Sequence, residues 1–295
     1  MKIGLVGTAH WASEIHAPGL ARDPGVTFVG VWGRDRVKTV ELAAEHKVAA
    51  YDDFDRFLSD VDAVAFAVAP GAQAKLAKTA AEHGKHVLLE KPIALTVDDG
   101  LALSEAIRKS GVRSVLFLTR LFHPELRSQL AQAAKAPGLR HGRVRIVANS
   151  MRVPSPYINS TWRQSPRAAL YDLGPHALSV LQYVLGSIAK ISADLDPKGH
   201  ILLSARHESG ATSDAELALT ALDEDLASET TFAWSGGKVE LPHIDMVNGG
   251  AAEAYHEAIR QLIGENGTEP YCDVSDGLRL LRLVAECDGQ LRISK

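Results

Sequence analysis

Three ionisable side chains stand where they can do chemistry. Lys91 follows the apolar run 86–89 and Glu90, and it precedes Pro92. A lysine delivered at the carboxyl end of a parallel strand points into the edge where ligands bind, and the proline fixes the backbone there, a cis peptide being one way to do so. Asp172 and His176 are four residues apart, the spacing that puts two side chains on one helix face. A neutral imidazole can take a hydroxyl proton, and its protonated form can return it. A nearby carboxylate raises the basicity of that imidazole and fixes its orientation. A cationic lysine stabilises negative charge on an oxygen whose bond order is changing. Each residue also has a plain structural alternative: a solvated strand-end lysine, a helix-capping aspartate and a buried helix histidine.

A second constellation begins near the N-terminus. Gly7-Thr8-Ala9-His10-Trp11-Ala12 follows an apolar strand and opens a helix, the context of a dinucleotide fingerprint. The first glycine permits the tight turn, and the second normally lets the backbone approach a pyrophosphate held by the helix N-terminus. Ala9 occupies that second position, and Ala12 is an accepted variant of the third. Taken alone, an ordinary strand-to-helix turn reads the same way. The next strand ends in Trp32-Gly33-Arg34-Asp35. Gly33 leaves vacant the position of the acid that would bond a ribose 2′-hydroxyl, and Arg34 can pair with a 2′-phosphate. NADP is therefore expected over NAD. Asp35 is the argument for NAD, and a solvated Arg34–Asp35 turn pair is the alternative to both.

These residues need a scaffold. Apolar runs at 3–6, 26–32, 63–68, 86–89 and 115–118, most of them rich in β-branched residues, alternate with amphipathic stretches at 37–46, 53–58, 74–83 and 98–110. The last begins with Thr96-Val97-Asp98-Asp99, a capping-box variant, and stops at Gly111. This alternation predicts a doubly wound parallel sheet with its strand-end loops on one edge. The pattern changes near residue 120. A helical stretch at 124–135 leads to a strand at 142–148, a Pro/Ser/Asn-rich loop at 154–166 and a helix at 175–185. Period-2 segments at 189–195, 201–207, 213–219 and 228–234, divided by tight-turn signals, predict antiparallel sheet. Helices at 252–263 and 275–286 follow. The expected fold is α/β: a dinucleotide-binding Rossmann domain over 1–119, and a second α/β domain with a largely antiparallel open sheet over 120–295.

Composition limits the partners. The chain has 295 residues, 46% hydrophobic and 23% charged, which is globular and not disordered. A net charge of −4 offers no basic face for nucleic acid. Cys272 and Cys287 match no metal or redox spacing and read as reduced thiols of an intracellular protein. No apolar run approaches the roughly 20 residues of a membrane helix, and Met1-Lys2 leads straight into a strand with no room for a signal peptide. A cytoplasmic protein with neither a membrane nor a nucleic-acid partner is expected. His83 and His86 straddle a turn and no other histidines cluster, so no metal is expected.

Gly84-Lys85-His86-Val87-Leu88-Leu89-Glu90-Lys91-Pro92, with Trp162-Arg163 and Asp172-Leu173-Gly174-Pro175-His176, resembles the signature of the Gfo/Idh/MocA oxidoreductases, whose namesakes are glucose–fructose oxidoreductase and inositol dehydrogenase. Arg120-Leu121-Phe122-His123-Pro124 is similar to the segment that enters the family's second domain, and the likeness runs over residues 1–186. The resemblance implies that Lys91 lies beside the nicotinamide and the reacting oxygen, and that Asp172 and His176 face the substrate. It implies hydride transfer with a sugar, cyclitol or related alcohol or ketone, and a homodimer or homotetramer formed through the C-terminal sheet. Ala69-Pro70-Gly71-Ala72-Gln73 resembles the family's cofactor-facing loop, with Gln73 where histidine often stands. Arg167-Ala168-Ala169-Leu170 lacks the glycines often found ahead of the Asp172 element. Arg120, His123, Tyr157, Trp162 and Arg163 are candidate substrate contacts. Arg163 suits a carboxylate or polyol and equally a salt bridge; Trp162 suits a pocket wall or a core. Two rivals stay open: a dinucleotide-binding sensor without turnover, and a same-fold enzyme acting on a non-sugar substrate such as an imine or dihydrodiol.

Overall fold

The computed structural model describes residues 1–244, 249–264, 267 and 269–292. The chain divides into two compact units, 1–123 with 246–279 and 124–245 with 280–295.

The first unit is built on β1 (Lys2–Val6), β2 (Thr27–Trp32), β3 (Ala49–Tyr51), β4 (Ala63–Phe66), β5 (His86–Glu90) and β6 (Ser114–Phe117). All pair in parallel, in the order β3-β2-β1-β4-β5-β6. This is the Rossmann order, with its reversal between β1 and β4. β4 and β6 are buried along their whole length, which is why they read as unbroken apolar runs. The edge strand β3 is three residues long and mostly exposed, and no periodicity announces it. Helices α1 (Ala17–Arg22), α2 (Arg36–Glu45), α3 (Phe54–Asp60), α4 (Pro70–Glu82) and α5 (Val97–Ser110) lie between the strands, and α6 (Thr119–Phe122) follows β6. The α5 cap forms as expected: Thr96 Oγ1 accepts from Asp99 N at 3.1 Å and donates to Asp99 Oδ2 at 2.8 Å. The segment after the glycine turn differs from the expected α-helix. Ala12–His16 forms a π-type turn before α1, with Ala17 N bonded back to Ala12 O. Pro18 has no N–H to give to the carbonyl four residues earlier, so the α-helical ladder must restart there.

The second unit holds α7 (Pro124–Ala133), β7 (Leu139–Val147), α8 (Ala168–Leu185), β8 (Ile188–Leu195), β9 (Ile201–His207), β10 (Thr212–Ala218), β11 (Ala227–Trp234) and β12 (Gly237–Glu240). The strand order is β12-β11-β7-β10-β9-β8. β8, β9 and β10 form an antiparallel meander, and β11 with β12 a hairpin. β7 inserts between β11 and β10 and runs parallel to the latter, giving one parallel pair in a largely antiparallel sheet. Local turn signals reveal hairpins; they carry no information about an insertion by a distant strand. α8 packs on β7, β9 and β10. It starts at Ala168 instead of 175, and Pro175 lies inside it. The proline removes one bond to the Tyr171 carbonyl. Burial of Leu178, Leu181, Val184 and Leu185 on the same helix offsets that loss.

The last helices are α9 (Ala251–Ile263) and α10 (Val274–Gln290). A cut at 119/120 follows linear order, but packing returns α9 to the first unit, against α1, α6, β5 and β6. Tyr255, Ala258 and Ile259 have no exposed surface there. Among the described residues, no helix is long and apolar enough to cross a membrane.

Candidate functional site

At the carboxyl end of β1, Gly7 adopts φ +132° and donates its N–H to Trp32 O at 2.9 Å. A Cβ on Gly7 would lie 2.3 Å from the Ala67 carbonyl oxygen, so only glycine lets β1 turn this close to the end of β4. The Ala9 carbonyl accepts from Ala12 N at 2.8 Å and Ser13 N at 3.1 Å, closing the turn while Ala9 and His10 stay exposed. A Cβ on Gly33 would lie 2.8 Å from both Thr8 Cγ2 and Thr39 Oγ1. An acid cannot enter this position without displacing both threonines. Asp35 caps α2, accepting from Lys38 N at 3.2 Å, and Arg34 is exposed. A cradle that a Cβ would fill, an exposed turn, and a guanidinium one residue past the usual acid position fit a dinucleotide.

β5 delivers Glu90 and Lys91 to the same edge of the sheet. The Lys91-Pro92 peptide is cis, and Lys91 is half-buried. Gln73, expected at the cofactor, is instead fully buried. Its Nε2 donates to Glu90 O at 2.6 Å and Pro92 O at 3.3 Å, and its Oε1 accepts from Glu90 N at 2.8 Å. It holds the backbone on both sides of Lys91, which engages the amide's donor and acceptor alike. At the start of that loop, Ala69 is exposed and Pro70 is buried in the first turn of α4. Glu90 Oε1 accepts from Trp11 Nε1 at 2.7 Å and lies 3.0 Å from His16 Nε2. Trp11 and Glu90, both chosen from the sequence, are thus joined. No motif or periodicity marks His16, nor Tyr255, whose hydroxyl is 3.0 Å from His16 Nδ1.

In the second unit, four residues chosen from the sequence come together. Arg163 Nε donates to Asp172 Oδ2 at 2.6 Å, and Nη2 to Oδ1 at 3.3 Å. The guanidinium carbon is 4.3 Å from the Trp162 ring centroid and 4.7 Å from that of Tyr157. Asp172 is buried, and a bidentate fork on a carboxylate is a strong, geometrically specific pairing. Of the two roles open to Arg163, the salt bridge is the one formed. Both Asp172 and His176 lie on α8, so the early helix start places them one turn apart on one face.

Arg120 and His123 belong to the first unit. Burial pushes the half-buried Arg120 guanidinium down to about 10. His123 is buried, with Nε2 3.4 Å from Glu253 Oε2 on α9. The second unit's sheet also gathers Asp196, His200 and Glu216, a group with no signal in the sequence spacing. Their atoms already have protein partners. Glu216 accepts from Arg145 Nε at 2.7 Å, which holds its carboxyl below the usual range, and His200 Nδ1 is 3.0 Å from Glu216 Oε1. Asp196 Oδ1 accepts from the backbone N–H of Lys198 and of His200.

A sequence profile of the Gfo/Idh/MocA family, described as an oxidoreductase family with an NAD-binding Rossmann fold, matches residues 1–117. The likeness of the chain to the Gfo/Idh/MocA oxidoreductases therefore rests on its first unit, from β1 through β6. Relatives include dTDP-3,4-didehydro-2,6-dideoxy-alpha-D-glucose 3-reductase of Saccharopolyspora spinosa, 28% identical over 70% of this chain and 65% of the reductase. An uncharacterised protein of Saccharomyces cerevisiae is 24% identical over 81% of this chain and 69% of its own length. Across the first curated relatives the chain spans between 54% and 69% of their length. The WlbA dehydrogenase from Bordetella pertussis, solved with NADH and UDP-GlcNAcA, matches with a TM-score of 0.82 at 18% identity, over 98% of this chain and 95% of that one. At that identity the likeness concerns the fold. The profile match supports a dinucleotide-binding Rossmann unit of the oxidoreductase type over residues 1–117.

Proposed function

We propose that this protein is an oxidoreductase that moves hydride between NAD(P) and a sugar-like or cyclic polyol alcohol or ketone. The observation that carries the reading is the placement of Lys91. It leaves β5 on the same sheet edge as the Gly7 turn, with its backbone clamped by Gln73. When bound, the nicotinamide supplies the hydride chemistry. Lys91 stabilises charge on the reacting oxygen, and His176 takes or returns the hydroxyl proton. Asp172, fixed by the Arg163 fork, orients the imidazole one turn further along α8. Sugar-type relatives such as the didehydrodideoxyglucose reductase support the substrate class.

NADP is the preferred coenzyme in this reading. Gly33 cannot give way to an acid, and the carboxylate of Asp35 is engaged at the start of α2, while Arg34 remains available to a 2′-phosphate. Calorimetric titration of NADPH against NADH tests it. Tighter NADPH binding is expected, with the preference falling about tenfold in Arg34→Ala; equal affinity in both proteins would remove the preference. The reading includes self-association through the sheet face that α8 leaves open, where Arg145 bridges Glu216 and Glu229 and Leu202 is exposed. Light scattering showing a monomer would exclude that part.

A further inference from the structure

A polar chain, fully buried at its α9 end, runs through the first unit to the Lys91 turn. Neither Tyr255 nor His16 has exposed surface. The Tyr255 hydroxyl lies 3.0 Å from His16 Nδ1, His16 Nε2 lies 3.0 Å from Glu90 Oε1, and Trp11 Nε1 reaches the same oxygen at 2.7 Å. Burial, and then the charge of Glu90, push the Tyr255 phenol well above its ordinary range, so it remains an O–H donor. Each ring nitrogen of His16 thus meets one partner, the Tyr255 hydroxyl at Nδ1 and the Glu90 carboxylate at Nε2. Phe117 packs edge-on against both rings, at 5.2 Å from Tyr255 and 6.3 Å from His16. Hydrogen bonds in such an apolar shell are stronger than in water, and an unmet partner is correspondingly costly.

Each link bears on a different part of the dinucleotide site. Gln73 holds the Glu90 backbone from both sides, so the carboxylate's remaining freedom lies in its side-chain torsions. His16 and Trp11 converge on one oxygen and fix those torsions. Trp11 closes the glycine turn and stands at the head of the π-type turn. Ala9 carries a methyl where a second glycine is usual, so the height of this turn decides how near a phosphate can come.

We propose that Tyr255 and His16 are positioning residues of the dinucleotide site: through Glu90 they lock Trp11, and with it the Gly7 turn, to the turn that carries Lys91. This rests on the dinucleotide-binding reading above. It assigns a role to α9 and the π-type turn, which otherwise only fill space. The π-type turn is what brings His16 inward: its buried residues are Ala12, Ile15 and His16.

The test is coenzyme affinity by calorimetry on the full chain without substrate, in Tyr255→Phe, Trp11→Phe and the double variant. Tyr255→Phe removes one oxygen and leaves the ring packing. Each single variant is expected to bind NADPH about fivefold more weakly. The double variant is expected to match Trp11→Phe alone, because the effect of the hydroxyl on the glycine turn is proposed to pass through Glu90 and its bond to Trp11. His16→Gln, which breaks the chain elsewhere, is expected to show the same non-additivity with Trp11→Phe. Wild-type affinity in Tyr255→Phe and His16→Gln overturns the proposal. So does a double variant whose losses multiply to about 25-fold, the result for independent sites. A wild-type chain that binds neither NADH nor NADPH instead defeats the site reading itself, and it does so before any substitution is made.

Discussion

Two carboxylates anchor the candidate residues, one in each unit, and they are satisfied by different kinds of partner. Glu90 meets the indole N–H of Trp11 and the imidazole of His16. Asp172 meets the guanidinium of Arg163 in a two-point fork. The first arrangement holds a carboxylate between two aromatic ring nitrogens, one residue before a lysine. The second makes a neutral pair, which can be buried on α8 at lower electrostatic cost. The difference suits the proposed division of labour. In the proposed function the first carboxylate positions the turn of Lys91, while the second, paired with Arg163, steadies His176 as a group that must gain and lose a proton.

The comparison can be broken by removing one partner on each side. Arg163→Ala should have the larger effect, because it strands a buried carboxylate and strips a cation from the faces of Trp162 and Tyr157. A loss of about 3 kcal/mol in chemical denaturation is expected. Trp11→Phe removes one donor of two from Glu90 and should cost about 1.5 kcal/mol. Equal losses, or the reverse order, would mean that the two carboxylates are held in the same way.

The legible parts of this molecule are those whose signal is local. Buried parallel strands such as β4 announce themselves as apolar runs, and Thr96 and Gly111 mark the ends of α5. Asp172 and His176 share a face because their spacing is helical, and the fork from Arg163 was one of two roles open to that residue. What sequence reading misses depends on distant partners. β7 slips between β10 and β11 for reasons of sheet packing that no turn records. The start of α8 lies hidden behind Pro175, since a proline inside a helix resembles one that begins it. Gln73 sits where a cofactor contact is expected, and only burial shows that its amide serves the backbone of Glu90 and Pro92. His16 and Tyr255, 239 residues apart, carry no shared pattern at all.

Lys91 and His176 are proposed to serve one hydride transfer. The direct measurement is coenzyme reduction or oxidation in Lys91→Ala and His176→Ala, with the best substrate from a sugar and cyclitol panel, alongside coenzyme affinity for each variant. A fall in turnover of about a hundredfold or more in both, with the coenzyme still bound, is the predicted result. Turnover unchanged in both variants would contradict it.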